Sequence, residues 1–123
     1  MDEDISPRTI AIVGPCASGK TTLVNALRER GYNARQIAQE HSYVQDMWKQ
    51  ITDPDILIYL DASFETCTER KKLNWKQKEF DEQVRRLSHA RENCDLYIFT
   101  DDLAPGEILD RTLSFLKSAD RSP

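Results

Sequence analysis

The sequence predicts an α/β fold, a three-layer α/β/α sandwich around a small, mostly parallel sheet of about four strands. Segments with the apolar, β-branched character of strands alternate along the chain with segments of helical periodicity, the pattern of parallel sheets with right-handed crossovers. The run 56–60 is continuously apolar, as expected of a strand buried on both faces. The length of 123 residues suits one domain, predicted over residues 8–118 between a flexible tail at 1–7 and a tail at 119–123.

The predicted elements follow one another with short connections. Gly31 suits the C-cap of the first helix, Pro54 interrupts the chain before the third strand, and Pro105 suits the first position of the last helix. Ser42 begins a capping-box pattern that opens the second helix. In chain order the predictions are strand 9–13, helix 20–30, a weaker strand 32–40, helix 42–51, strand 56–60, helices 64–73 and 76–92, strand 95–100 and a helix from 105.

The most informative segment is Gly14–Thr21, which reads G-x-x-x-x-G-K-T between a predicted strand and a predicted helix. This is the string and the context of a phosphate-binding loop. Its glycines permit backbone angles that direct successive amides at a phosphate, and the helix dipole adds positive potential. We expect Lys20 to reach the β- and γ-phosphates of ATP and the Thr21 hydroxyl to bind Mg²⁺. The predicted nucleotide-binding residues are Gly14, Pro15, Cys16, Ala17, Ser18, Gly19, Lys20, Thr21 and Thr22.

The Mg²⁺ shell also needs a carboxylate, and the sequence offers two. Asp61 ends the strongest apolar strand, whereas Glu40 ends a weaker strand that could lie beside the first in a reduced sheet. We favour Glu40 for metal or base work and keep Asp61 as a second candidate metal ligand, its alternative role being a helix cap. His41 is either a second polar group at this site or a hydrogen-bonded residue at the strand end.

Three segments together resemble the small-molecule kinases of the P-loop class, the nucleoside and nucleotide kinase group. They are the phosphate loop, residues 54–63 with the helix up to Arg70, and residues 94–109. The resemblance implies the P-loop NTPase fold and transfer of the γ-phosphoryl group of Mg-ATP to a small acceptor. It places Arg70 in a lid near the phosphates and Glu40 where such kinases carry an acidic base. The predicted catalytic residues are Lys20, Glu40 and Arg70.

The resemblance is to a shortened form of these kinases, because residues 41–53 leave room for only one short helix where the acceptor region usually lies. Two functions therefore stay open: a kinase with a small acceptor, or a nucleotide-binding regulatory or assembly module with little or no turnover. A GTP switch is disfavoured because no Asn-Lys-x-Asp string is present. The apolar residues of 41–53 predict a homodimer with Met47 or Trp48 near its contact surface.

Net charge, hydropathy and cysteine content indicate which classes of partner and which cell compartment to expect. The formal net charge of −4 argues against nucleic acid as the main partner, since no basic stripe is evident. No apolar run approaches membrane-spanning length and the first residues are acidic, so we expect a cytoplasmic protein with no membrane partner. The three cysteines have no metal-type spacing and are interpreted as reduced thiols. Cys16 is either a small filler of the loop or a reactive thiol.

The basic clusters, the two tryptophans and a pair of aspartates each allow more than one interpretation. The basic clusters at 70–72 and 85–86 could approach a phosphate or form solvated helix faces. Trp48 and Trp75 could stack on a ring of a ligand or pack in a core or interface. Asp101–Asp102 has the composition of a metal site, but in this loop we favour capping of the final helix or a position near the nucleotide base.

Overall fold

The structure is a computed structural model that describes residues 8–71 and 76–121. The described residues form an all-parallel sheet of four strands with flanking helices, which confirms the predicted α/β fold. A 3₁₀ turn, Gln39–His41, follows the second strand. In chain order the elements are β1 (Thr9–Val13), α1 (Lys20–Glu29), β2 (Asn33–Gln36), α2 (Met47–Thr52), β3 (Ile56–Asp61), α3 (Phe64–Lys71), α4 (Gln77–Arg86), α5 (Ser88–Asn93), β4 (Leu96–Phe99) and α6 (Pro105–Arg121).

The sheet order is β2-β1-β3-β4, so β1 lies between β2 and β3. Ile10 of β1 is opposite Ala34 of β2 and Ile56 of β3. Ile10 also faces a core shared with α1 and α6, whereas its neighbour Ala11 faces a second core that includes Trp48 of α2 and residues of α5. Because successive side chains of a strand point to opposite faces, these two cores make the three layers. All four strands end at one edge, where the phosphate loop lies.

Two predicted elements on the β2 side are wrong in detail. The second strand stops at Gln36 instead of Glu40, and the chain then turns into the 3₁₀ segment. The helix predicted from Ser42 begins only at Met47. The Ser42 hydroxyl instead accepts a hydrogen bond from the amide of Val44 at 3.1 Å, a local turn that competes with helix initiation.

The helix predicted over 76–92 is divided into α4 and α5 at Leu87, which is completely buried in the second core. The final helix continues to Arg121, past the predicted domain end at 118. Trp75, Lys72 and the predicted tail 1–7 lie outside the described residues. Within the described ranges, no helix combines the length and the apolarity that crossing a membrane requires.

Gly14 is where the phosphate loop passes closest to β3. Its φ is +155°, and a Cβ built on it would lie 2.0 Å from the carbonyl oxygen of Leu60. We expect Gly14→Ala to lower the free energy of unfolding by about 3 kcal/mol, because backbone atoms cannot yield as flexible side chains do. The measurement is urea unfolding, with Gly106→Ala in α6 as the matched control. A Cβ at Gly106 meets nothing within 4 Å, so equal losses in both variants would contradict the steric explanation.

Candidate nucleotide site

The phosphate loop connects β1 to α1 and has the backbone conformation of an anion cradle. Ala17 and Gly19 both adopt positive φ angles, 67° and 107°, and the amide of Ser18 closes a turn onto the carbonyl of Pro15 at 3.2 Å. Helix α1 begins at Lys20, and its first amides have no intrahelical acceptor. Amides arranged in this way at a helix N-terminus bind phosphate groups.

Lys20 is folded back over this loop. Its ammonium group donates hydrogen bonds to the carbonyls of Gly14 at 2.6 Å and Pro15 at 3.0 Å, and to Glu40 Oε2 at 3.0 Å. The two side chains of the ion pair are only 7% and 6% exposed. The second oxygen of the carboxylate, Oε1, is buried and has no hydrogen-bond partner among the described residues. A buried charged pair with a free acceptor is costly unless a further group completes it.

Glu40 reaches Lys20 from the 3₁₀ turn after β2. The adjacent Gln39 is completely buried and fixes this turn: its Oε1 accepts the amide of Trp48 at 2.8 Å and its Nε2 donates to the carbonyl of Val44 at 2.7 Å. Sequence reasoning did not identify Gln39, because its partners are set by the path of the chain after the turn. Glu40 therefore does not lie at the end of a strand, as predicted, but on a turn that the buried Gln39 holds in place.

Thr21 lies at the same edge. Its hydroxyl oxygen accepts a hydrogen bond from Gln36, the last residue of β2, at 2.9 Å. Both residues line a cavity of about 630 Å³, a volume typical of small-molecule sites. The other lining residues come from the phosphate loop from Cys16 onward, from the first turns of α1 up to Ala26, from Glu40 and Arg70, and from a largely apolar wall that includes Leu103, Pro105, Ile108 and Leu109.

Arg70 of α3 contacts the phosphate loop as well. Its guanidinium donates to the carbonyl of Ala17 at 3.0 Å and to the hydroxyl and carbonyl oxygens of Thr100 at 3.1 and 2.7 Å. Thr100 is completely buried just after β4. The residue predicted for a lid role thus lines the cavity and is bonded to the phosphate loop.

Asp61 is not among the residues that line this cavity. Its Oδ2 accepts the Tyr97 hydroxyl at 2.6 Å and its Oδ1 accepts the amide of Ala62 at 2.9 Å. Burial and the hydrogen bond to Asp61 raise the pKa of Tyr97 to about 12. The structure therefore brings Lys20, Thr21, Glu40 and Arg70 together and leaves Asp61 in a separate hydrogen-bonded pair.

Asp101 has a capping role, but for α3 and not for the final helix. Its Oδ1 accepts the amide of Ser63 at 2.8 Å, and Ser63 in turn accepts the amide of Thr66 at 3.2 Å. Burial alone would raise the pKa of Asp101, but hydrogen bonds from Ser63 and Thr66 and the nearby Arg70 outweigh it and lower the pKa. Ordinary capping thus accounts for this carboxylate.

The parallel sheet, with a G-x-x-x-x-G-K-T loop between β1 and α1, defines a P-loop nucleotide-binding protein. The profile of a family described as AAA domain matches residues 10–105, and the chain belongs to this family. The family is P-loop NTPase-like and includes kinase-like members, and the match is not specific to nucleoside kinases. No match to this chain was found among the curated proteins. P-loop NTPases bind nucleotide, usually with Mg²⁺.

Lys20 is the charged donor of the cradle, so its removal should weaken nucleotide binding. We expect Lys20→Ala to lower ATP affinity roughly tenfold or more, because a hydrogen bond to a charged group contributes about 1.5–3 kcal/mol. Calorimetric titration with Mg-ATP measures this, after circular dichroism has shown that the variant is folded. Lys49→Ala, on the exposed face of α2, is the charge-matched control. Equal ATP affinity of wild-type and Lys20→Ala protein would refute the assigned role.

Proposed function

We propose that this protein is a kinase-type phosphotransferase that transfers the γ-phosphoryl group of Mg-ATP to a small acceptor. The observation that carries the proposal is the buried Lys20–Glu40 pair in the wall of the cavity. A nucleotide that draws the Lys20 ammonium onto its phosphates releases the Glu40 carboxylate. That group then becomes available to a metal or a proton at the place where phosphoryl transfer needs it.

The two ends of the cavity suit the two ends of ATP. The loop amides and Lys20 are proposed to hold the phosphates, and the apolar wall around Leu103 and Pro105 to contact the base. The Thr21 hydroxyl and the Glu40 oxygen that has no partner among the described residues are the hard oxygen donors that Mg²⁺ prefers. Bound there, Mg²⁺ would neutralise phosphate charge. Arg70 is proposed to turn from the loop carbonyl toward the transferred group and to stabilise its charge.

The proposed reaction needs no reactant besides ATP and the acceptor. The acceptor hydroxyl gives its proton to the Glu40 carboxylate as its oxygen forms a bond to the γ-phosphorus. The bond from that phosphorus to the β,γ-bridging oxygen breaks, and ADP leaves with the bridging oxygen. Glu40 then returns its proton to solvent.

A second groove, of about 900 Å³, shares Gln36 with the nucleotide cavity and is the proposed acceptor site. Its lining includes Arg28, Arg35 and His41 beside apolar residues of the segment after β2. Basic side chains next to an apolar surface fit a small acceptor that carries a negative charge. The shortness of this segment is consistent with an open groove instead of an enclosed acceptor pocket.

Glu40→Gln keeps the size of the side chain and removes its charge. If Glu40 orients Mg²⁺ or accepts the acceptor proton, the rate of ATP hydrolysis or phosphoryl transfer should fall by roughly 100-fold or more, with ATP affinity changed less. The assay follows labelled ATP with pooled small-molecule acceptors.

Asp61→Asn is the control with the same change of charge, and we expect it to retain turnover because Asp61 is paired with Tyr97 outside the cavity. A large loss in Asp61→Asn together with none in Glu40→Gln would place the essential carboxylate on β3 and overturn the assignment.

The second candidate function is a nucleotide-binding module that acts by association with a second copy. Tyr43, Val44 and Ile51 are 80%, 50% and 61% exposed, and all three line the second groove. Of the two residues expected near a dimer contact, Met47 also lines the second groove, whereas Trp48 is packed on its own sheet and its indole donates to His89 at 3.2 Å. The proposed dimer surface therefore moves from Trp48 to these three exposed side chains.

Light scattering at tens of micromolar protein measures the oligomeric state and so tests this second candidate function. We expect a dimer, and we expect Ile51→Glu to give a monomer because a charge at the centre of an apolar contact is desolvated without a partner. Phe99→Glu, at an exposed side chain of β4, is the matched control and should stay dimeric. A wild-type monomer would exclude the dimeric module and leave the kinase proposal untouched.

A further inference from the structure

We propose that Cys16, Glu40 and His41 form a binding site for a thiophilic divalent cation, with Zn²⁺ as its representative. One ligand atom of each residue lies within 4.8 Å of the other two. The thiol sulfur of Cys16 is 3.8 Å from Nε2 of His41, and the same nitrogen is 3.8 Å from Oε2 of Glu40. Thiol, imidazole and carboxylate are the three protein ligand types of zinc.

These separations are close to those that a bound zinc ion imposes. With the usual zinc–ligand bond lengths and tetrahedral angles, sulfur and nitrogen lie about 3.6 Å apart, and nitrogen and oxygen about 3.4 Å apart. These two separations would have to contract by about 0.2–0.4 Å, and the Cys16 sulfur and the Glu40 oxygen, which lie within 4.8 Å, would have to approach to about 3.6 Å, with the fourth position left for water. The His41 side chain is 59% exposed, which gives an ion in solvent a direct path to the three ligands.

Glu40 has a second carboxylate oxygen that a ligand could engage, and Gln83 fixes the position of Cys16. Glu40 is only 4% exposed, yet its Oε1 has no hydrogen-bond partner within the described residues. Gln83 of α4 is 6% exposed and clamps Cys16: its Oε1 accepts the amide of Cys16 at 3.1 Å and its Nε2 donates to the sulfur at 3.2 Å. Such outer contacts orient metal ligands.

The charges around the site and the types of ligand atom determine which cation would bind. The thiolate of Cys16 and the carboxylate of Glu40 would neutralise a divalent ion, whereas the Lys20 ammonium, 3.0 Å from Glu40, opposes it. The guanidinium of Arg86, which donates to the carbonyl of Glu40 at 3.4 Å, opposes it too. Thiolate and imidazole nevertheless favour zinc-like ions over Mg²⁺, which prefers oxygen donors. This site is thus chemically distinct from the proposed Mg²⁺ position, although it shares Glu40 with it.

A cation held in this way would tie the phosphate loop to the 3₁₀ turn and engage the carboxylate that otherwise pairs with Lys20. Cys16 lies on the loop, whereas Glu40 and His41 lie on the turn after β2. Binding requires no nucleotide, so the site can be tested separately from the proposed kinase activity.

Cobalt(II) is the probe, added to the full chain under reducing conditions without nucleotide. We expect one ion per chain, with the near-ultraviolet charge-transfer band of a cobalt–thiolate bond and the intense visible bands of tetrahedral cobalt. Zinc chloride should displace it. Cys16→Ser should abolish the thiolate band, and His41→Gln should weaken cobalt binding by at least about tenfold. Cys94→Ser is the matched control, because Cys94 is also a part-exposed thiol, and it should retain the full spectrum.

His41→Gln keeps the test decisive if Cys16→Ser does not fold, because the exposed ring of His41 contributes little to the core. Zinc chloride should also raise the thermal unfolding midpoint of the wild type and leave that of His41→Gln unchanged. A wild-type spectrum without a thiolate band would overturn the proposal. So would equal cobalt affinity in wild-type and His41→Gln protein.

Discussion

The ion pair between Lys20 and Glu40 is the interaction on which the site depends. It joins the phosphate loop to the turn after β2, two segments that no strand pairing connects at this point, and it is almost fully removed from water. Removing either partner would leave an isolated buried charge, which costs far more than the pair contributes when intact. The pair therefore links the loop to the turn, and in the proposed mechanism a nucleotide offers Lys20 another acceptor.

The order of the sheet makes this pair possible. Because β2 lies directly beside β1, the chain leaving β2 passes the phosphate loop within reach of a side chain. A strand inserted between β1 and β2 would carry that turn away from Lys20. The short connection after β2 thus supplies the carboxylate that pairs with Lys20.

Local signals predicted much of the fold and part of the site. The phosphate loop, β1, β3 and α1 rest on residues that are neighbours in the sequence, and all four were predicted. The position of Glu40 on a turn was not, since Gln39 fixes that turn through buried bonds to Val44 and Trp48. The break at Leu87 likewise follows from burial in a core formed by other elements. Interactions of this kind depend on the folded path and leave no periodic pattern.

Lys20, a hard cation beside Thr21 and a thiophilic cation would each contact a carboxylate oxygen of Glu40. One oxygen accepts from Lys20, and the other has no partner among the described residues. A nucleotide competes for Lys20, a hard cation beside Thr21 would take a free oxygen, and a thiophilic cation would draw the carboxylate toward Cys16 and His41. The two cation arrangements exclude one another, because a carboxylate held between thiol and imidazole would not also serve a metal at Thr21, whereas a nucleotide that takes Lys20 is proposed to leave Glu40 free for that metal. On these two proposals, the single buried carboxylate makes the choice of bound cation depend on whether Lys20 is paired with Glu40.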